Sequence, residues 1–107
     1  MIFIEVALKA ASETALQGFL PTIRAAMEGT HKEKGSLIYR FTVDLDDPCV
    51  LRVTELWESE EALFAHFEGE PVKLTMEIIP ELQVLSMQAY QGDLVPYEVP
   101  LPAELRS

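Results

Sequence analysis

Hydrophobic and polar side chains alternate along four stretches of the chain, residues 2–9, 36–45, 49–58 and 82–91. A period of two is typical of a β-strand that buries one face. Asp46, Asp47 and Pro48 stand between the second and third stretches, and this combination favours a tight turn. We therefore predict four strands, of which the middle two form a hairpin.

Helix signals fill the longer connections between these strands. Ser12 is placed to cap a long helix with apolar residues at helical spacing, and Gly35 is expected at its C′ position. Ser59, which two glutamates follow, is expected to cap a second helix that ends near residue 69. Pro71 then begins a short helix, and Pro80 ends it.

The predicted element order is β-α-β-β-α-β, the ferredoxin-like arrangement of the α+β class. Right-handed crossovers place the helices on one face of a four-stranded antiparallel sheet. We predict one domain over residues 1–92, followed by a tail over residues 93–107 that contains three prolines and no periodicity. Because the tail also carries apolar residues such as Leu94 and Tyr97, our hypothesis is that it lies across a partner subunit.

Apolar residues are expected on both faces of the sheet. In the fourth strand, simple alternation places Val84 and Tyr90 on one face and Leu85, Met87 and Ala89 on the other. The helices cover only one face, and soluble monomers rarely expose a large apolar patch. A second copy stacked on the other face would bury it, so we predict a homodimer whose two sheets close into a barrel-like core.

Composition narrows the classes of partner. The 107 residues carry a formal charge of −10, which argues against binding to nucleic acid or to an anionic membrane surface. No apolar run approaches the roughly 20 residues of a membrane helix. A single cysteine, Cys49, allows no internal disulfide, so we expect a cytoplasmic protein. A small neutral or aromatic molecule, or another protein, is the expected partner.

Motifs for nucleotide binding or metal binding are absent from the sequence, and no metal is expected. His66 shares a helix face with Leu63 and Phe67, and that face must meet the sheet. An imidazole there is either a core histidine with a satisfied N–H or a base in a pocket. Trp57, at the end of the third strand, is open to the same two interpretations.

Other aromatic and apolar side chains lie on separate predicted elements. Tyr39, Phe64, Met76 and Tyr90 either line one aromatic cavity between sheet and helices or simply fill the core.

The segment from Gly35 to Leu82 resembles the antibiotic biosynthesis monooxygenase domain family. The pattern includes a strand that ends in E-x-W-x-S and a helix with E-A-x-x-x-H. The matching residues are Gly35, Tyr39, Asp46, Asp47, Pro48, Glu55, Trp57, Ser59, Glu61, Ala62 and His66. The resemblance covers roughly residues 2 to 91 and leaves the tail outside.

The resemblance implies a dimeric α+β barrel that oxidises phenols, quinols or polyketide-like aromatic molecules with O₂ and without a cofactor. It implies that His66 is the donor or base of the site, since such chemistry needs a polar group that stabilises the substrate anion. Trp57, Tyr39 and Tyr90 would line the site or orient the substrate. Phe64 and Met76 are the further substrate-binding residues that the residue pattern suggests.

Two departures from relatives of this family bear on the substrate. A haem-degrading branch has an asparagine, a tryptophan and a histidine ligand at positions that are Ala7, His66 and Met76 here. Haem is therefore not expected as the substrate. Binding of a small hydrophobic molecule without turnover, or a structural or regulatory dimer, are the alternative functions, because fold alone does not decide function.

Overall fold

The computed structural model describes residues 1–106, so Ser107, the last residue of the predicted tail, lies outside the described residues. The elements are β1 (Ile2–Ala10), α1 (Glu13–His31), β2 (Ser36–Val43), β3 (Val50–Trp57), α2 (Glu60–Phe67), α3 (Glu70–Ile78) and β4 (Leu82–Gln91). Short 3₁₀ turns lie at Ile79–Glu81, before β4, and at Ala103–Leu105, after it. The predicted strands and helices are thus confirmed, with ends that differ by one or two residues.

The sheet has four antiparallel strands in the order β2-β3-β1-β4. This order, with β1 between β3 and β4, is the ferredoxin-like topology and confirms the predicted fold class. None of the helices in residues 1–106 is long and apolar enough to cross a membrane.

Serine caps begin two of the helices as the sequence predicts. The hydroxyl of Ser12 accepts a hydrogen bond from the Ala15 N–H at 3.0 Å, and that of Ser59 accepts one from the Ala62 N–H at 3.1 Å. Each bond satisfies an N–H that the first helical turn leaves without a partner. The second cap fixes the direction of α2 directly after β3.

Gly35 does not occupy the C′ position of α1 that the sequence predicts. Because α1 ends at His31 with Lys32 as its C-cap, Gly35 lies beyond the C′ position, in the turn that enters β2. It has a φ of +84°, which favours glycine, and a Cβ there would lie 2.5 Å from the Cβ of Ala62. The turn therefore uses glycine both for its backbone conformation and for the close approach of α2.

The core lies between the helices and one face of the sheet. One buried cluster joins Leu8, Leu51 and Val53 of the sheet to Leu16 and Ile23 of α1. A second buried cluster consists of Ile2, Tyr39, Trp57 and Leu63. Two residues predicted for a functional site, Tyr39 and Trp57, are therefore part of the core.

A β-bulge in β4 changes which of its side chains share a face. Ala7 pairs with Ser86, but the next residue, Leu8, pairs with Val84, so Leu85 is an extra residue in β4. The extra residue reverses the alternation, and Val84 lies on the helix side of the sheet together with Met87. The prediction that Val84 shares a face with Tyr90 is wrong for this reason.

The open face of the sheet is the face away from the helices. At one end this face carries Phe3, Leu56 and Tyr90, which are neighbours in the strand register. Polar side chains lie further along it. Beyond β4, residues 92–106 form no strand, and Val95 and Tyr97 of this segment are exposed. The homodimer and the placement of the tail across a partner stay predictions, because the structure describes one chain.

Candidate functional site

The corner between β3 and α2 places three aromatic rings together. Trp57, His66 and Tyr39 are 0%, 3% and 3% exposed. The ring centroid of His66 lies 4.6 Å from that of Trp57 and 5.3 Å from that of Tyr39. We call these residues the three-ring cluster. Its members come from β2, β3 and α2, so the hairpin and the capped helix together position it.

The imidazole of His66 is held by a carboxylate. Nδ1 of His66 lies 2.6 Å from Oε1 of Glu33, which belongs to the turn after α1. Since a carboxylate only accepts hydrogen bonds, Nδ1 is the donor, and the neutral ring keeps Nε2 as its acceptor. The pair thus fixes both the tautomer and the orientation of the histidine.

A second carboxylate, Glu55, lies on the inward side of β3 between the buried residues Val53 and Trp57. The indole Nε1–H of Trp57 donates a hydrogen bond to Oε1 of Glu55 at 2.9 Å. Burial raises the pKa of Glu55 above its usual value, while the indole hydrogen bond and the positive charge of protonated His66 act in the opposite direction. A carboxylate at an inward strand position is unusual and requires a polar role.

The phenol of Tyr39 is a hydrogen-bond donor at neutral pH. Burial raises the pKa of Tyr39 to about 12, and the negative charge of Glu55 acts in the same direction. The hydroxyl groups of Thr75 and Thr30 lie close enough to the phenol to lower its pKa, although less strongly. The phenol therefore stays protonated throughout the physiological range.

Within residues 1–106, three buried hydroxyl groups have no hydrogen-bond partner, those of Thr30, Ser36 and Thr75. Thr30 is fully buried. Buried polar groups are nearly always satisfied by protein, water or a ligand. Two of these residues, Thr30 and Thr75, lie beside the Tyr39 phenol, so the polar groups around it are not fully satisfied by fixed partners.

The remaining predicted site residues lie away from the three-ring cluster. Phe64 and Met76 are more than half exposed, and Phe64 lies beside Phe67 with ring centroids 6.3 Å apart. Tyr90 pairs with Phe3 on the open face, where their rings stack 6.5 Å apart. The prediction that Tyr39, Phe64, Met76 and Tyr90 line one cavity is therefore wrong for Tyr90, which the strand register places on the opposite side of the sheet.

Comparison with known proteins decides the family. Residues 1–77 match the sequence model of the antibiotic biosynthesis monooxygenase family. The chain belongs to this family. The comparison with curated proteins gives no match.

Solved structures share the fold of this family member. A Deinococcus radiodurans protein, named as a candidate antibiotic biosynthesis monooxygenase, has a TM-score of 0.75 at 21% identity, covering 92% of this chain and 99% of its own. A conserved protein from Methanosarcina mazei Go1 has a TM-score of 0.73 at 22% identity, covering 87% and 94%. A structure named antibiotic biosynthesis monooxygenase has a TM-score of 0.71 at 27% identity, covering 90% and 100%.

Reasoning from the sequence missed several polar residues of this family member's site. Glu33 falls in the last turn predicted for the long helix, where nothing marks it as functional, and only the folded chain brings it to His66. Thr30 is one of three threonines on α1 and Thr75 is the one threonine of α3, and neither stands out in the sequence pattern. Glu55 did give a signal, because it occupies an inward position of an alternating strand.

Proposed function

We propose that the protein is a monooxygenase that uses O₂ to oxidise a small electron-rich aromatic molecule, such as a phenol, a quinol or a polyketide-like compound, without a bound cofactor. The observation that carries this proposal is the partly buried His66–Glu33 pair, which leaves Nε2 of His66 as an acceptor in a ring whose centroid lies 5.3 Å from that of Tyr39. Membership in the antibiotic biosynthesis monooxygenase family supports the same reaction class.

The reaction needs one proton acceptor and one hydrogen-bond donor. His66 Nε2 accepts the phenolic proton of the substrate, and Glu33 stabilises the imidazolium that forms. The Tyr39 hydroxyl donates a hydrogen bond to the phenolate oxygen. Trp57 provides a dry aromatic wall beside the imidazole.

All electrons come from the substrate. The phenolate passes electrons to O₂, and one oxygen atom forms a new carbonyl group at a ring carbon that loses its hydrogen. The other oxygen atom leaves as water with that hydrogen and the phenolic proton. A phenol and O₂ thus give a quinone and water, so no external reductant is consumed.

Oxygen uptake with a panel of phenols and quinols tests the proposal. We expect uptake with at least one compound, and a decrease in kcat/KM of roughly 10²–10⁴-fold in His66→Gln. Glu70→Gln is the matched control, since that exposed carboxylate pairs with Lys73 on the surface, and it should leave kcat/KM unchanged. Circular dichroism verifies that each variant is folded. Absence of uptake across the panel, or undiminished uptake in His66→Gln, overturns the proposal.

A second candidate is a structural or regulatory dimer of the same fold without turnover. It is favoured by the near-complete burial of the three-ring cluster, whose members contact one another as core residues do. On this alternative, His66→Gln changes the free energy of unfolding, and no compound in the panel causes oxygen uptake.

We also propose that the working form is a homodimer. The support is the apolar end of the open face, formed by Phe3, Leu56 and Tyr90, together with the exposed apolar side chains of residues 94–105. Stacking two open faces would remove this surface from water.

A further inference from the structure

We propose that Glu55 makes the site selective for the charge of its aromatic substrate, so that phenols with an ammonium group bind in preference to phenols with a carboxylate. This inference rests on the proposed location of the site, beside the three-ring cluster, and it does not require turnover.

The position of Glu55 follows from the strand register. On the helix side of the sheet, Tyr39, Glu55, Ile4 and Ala89 form one row that crosses β2, β3, β1 and β4. Exposure rises along this row, because Tyr39 is buried, Glu55 and Ile4 are partly buried, and Ala89 is exposed. A molecule that approaches from the β4 side therefore meets Glu55 before it reaches the ring of Tyr39.

No lysine or arginine within residues 1–106 forms an ion pair with Glu55. Among residues 1–106, the lysine and arginine ion pairs join Lys9 to Asp47, Arg52 to Asp44 and Lys73 to Glu70, and none includes Glu55. The Glu55 carboxylate accepts a hydrogen bond from the neutral indole N–H of Trp57. A partly buried carboxylate without a cation favours a positively charged ligand and repels a negatively charged one.

Polar groups near Tyr39, at the buried end of this row, fit the phenolic hydroxyl of such a ligand. Thr30 is fully buried and its hydroxyl has no partner within residues 1–106, and it lies beside the Tyr39 phenol. A phenolic hydroxyl placed there meets hydrogen-bonding groups, while an ammonium arm of two or three bonds reaches back toward Glu55.

Glu33, the second carboxylate near the site, adds to the preference for a cationic ligand. Glu33 carries its negative charge beside His66, which is its ion-pair partner within residues 1–106. An anionic substrate would therefore face two carboxylates, whereas a cationic one would face a complementary field.

The test uses three para-substituted phenols of similar size, namely tyramine (cationic), 4-ethylphenol (neutral) and 4-hydroxyphenylacetate (anionic). Each is titrated into the protein under nitrogen at pH 7.5, and binding is followed by calorimetry and by the fluorescence of Trp57, the only tryptophan of the chain. We expect tyramine to bind about tenfold more tightly than 4-hydroxyphenylacetate, with 4-ethylphenol between them.

Substitutions at Glu55 test whether this residue causes the difference in affinity between cationic and anionic phenols. In Glu55→Gln the difference between tyramine and 4-hydroxyphenylacetate should fall to within about twofold, whereas Glu55→Asp, which keeps the charge, should retain most of it. Glu70→Gln removes an exposed carboxylate of the same kind and should retain all of it. The wild-type protein alone already tests the order of affinities, should Glu55→Gln fail to fold.

Three results overturn the inference: equal or tighter binding of the anionic phenol, a preference that survives in Glu55→Gln, or no binding of any of the three phenols. Because oxygen is excluded, the outcome is separate from catalysis. A charge preference without oxygen uptake in air would contradict the proposed function alone, and oxygen uptake without a charge preference would contradict only the role of Glu55.

Discussion

Nδ1 of His66 lies 2.6 Å from Oε1 of Glu33, although 33 residues separate the two in the sequence. The bond joins α2 to the turn after α1. The imidazole is almost fully buried and the carboxylate side chain is 21% exposed, so water competes little for this hydrogen bond. Hydrogen bonds that involve a charged group in such surroundings contribute more than ordinary surface ion pairs.

Glu33→Gln should therefore lower the free energy of unfolding by about 1–3 kcal/mol, because it replaces a charge-assisted hydrogen bond by a neutral one. Urea denaturation measures this difference. Glu70→Gln, at an exposed pair with Lys73, should change the value by less than about 0.5 kcal/mol. Equal effects of the two substitutions would show that the Glu33–His66 bond contributes no more than a surface contact.

The raised pKa of Tyr39 predicts a loss of stability at high pH. In the unfolded chain the phenol loses its proton near pH 10, whereas in the folded protein it does so at about 12. Between these values the unfolded state binds fewer protons, so stability decreases as the pH rises, and below pH 10 the phenol contributes no pH dependence. The decrease due to this group is at most about 2–3 kcal/mol.

Tyr39→Phe isolates this contribution. The difference in unfolding free energy between the wild type and Tyr39→Phe should be constant below pH 10 and should fall between pH 10 and 12. Absorbance at 295 nm should also show one of the three tyrosines ionising near pH 12, and this step should be missing in the variant. A constant difference through pH 12 would contradict the assignment.

Gly35 and Gly18 offer a matched pair of substitutions. Gly35→Ala places a Cβ 2.5 Å from that of Ala62 at a backbone φ of +84°, so it should lower the unfolding free energy by about 1–3 kcal/mol. Gly18 lies inside α1 with nothing within 4 Å of an added Cβ, so Gly18→Ala should raise stability by about 0.5–1 kcal/mol. Thermal unfolding should show opposite shifts, and a shift of the same sign in both would be inconsistent with this account.

Local patterns predicted the elements well because their causes are local. The caps at Ser12 and Ser59 and the turn at Asp46 to Pro48 depend on neighbouring residues, and the structure contains all three. Which side chains of β4 face the helices could not be predicted, since the bulge at Leu85 appears only when β4 pairs with β1.

The site was predictable only in part for the same reason. Trp57, His66 and Tyr39 form one cluster, and the family pattern singled them out in the sequence. Glu33 joins them through a contact between distant parts of the chain, for which the sequence has no periodicity. Tyr90 was assigned to the wrong side because its face depends on the strand register rather than on its residue type.

The proposed homodimer predicts a mass twice that of the 12.0-kDa subunit in light scattering. Tyr90→Arg places a charge at the apolar end of the open face and should shift the protein toward monomer. Leu45→Arg is the control, since Leu45 is fully exposed in the hairpin turn and should leave the mass unchanged. A monomeric wild type, or a dimer that persists in Tyr90→Arg, would contradict stacking through this face.

The tail gives a separate prediction about the same assembly. Val95 and Tyr97 are about four-fifths exposed in the single chain, and such apolar side chains gain free energy only if another surface covers them. If that surface belongs to the partner subunit, removal of residues 94–107 should weaken the dimer and lower the midpoint of thermal unfolding in a manner that depends on protein concentration. Unchanged dimer mass and unchanged thermal stability after truncation would show that the tail makes no contact across the interface.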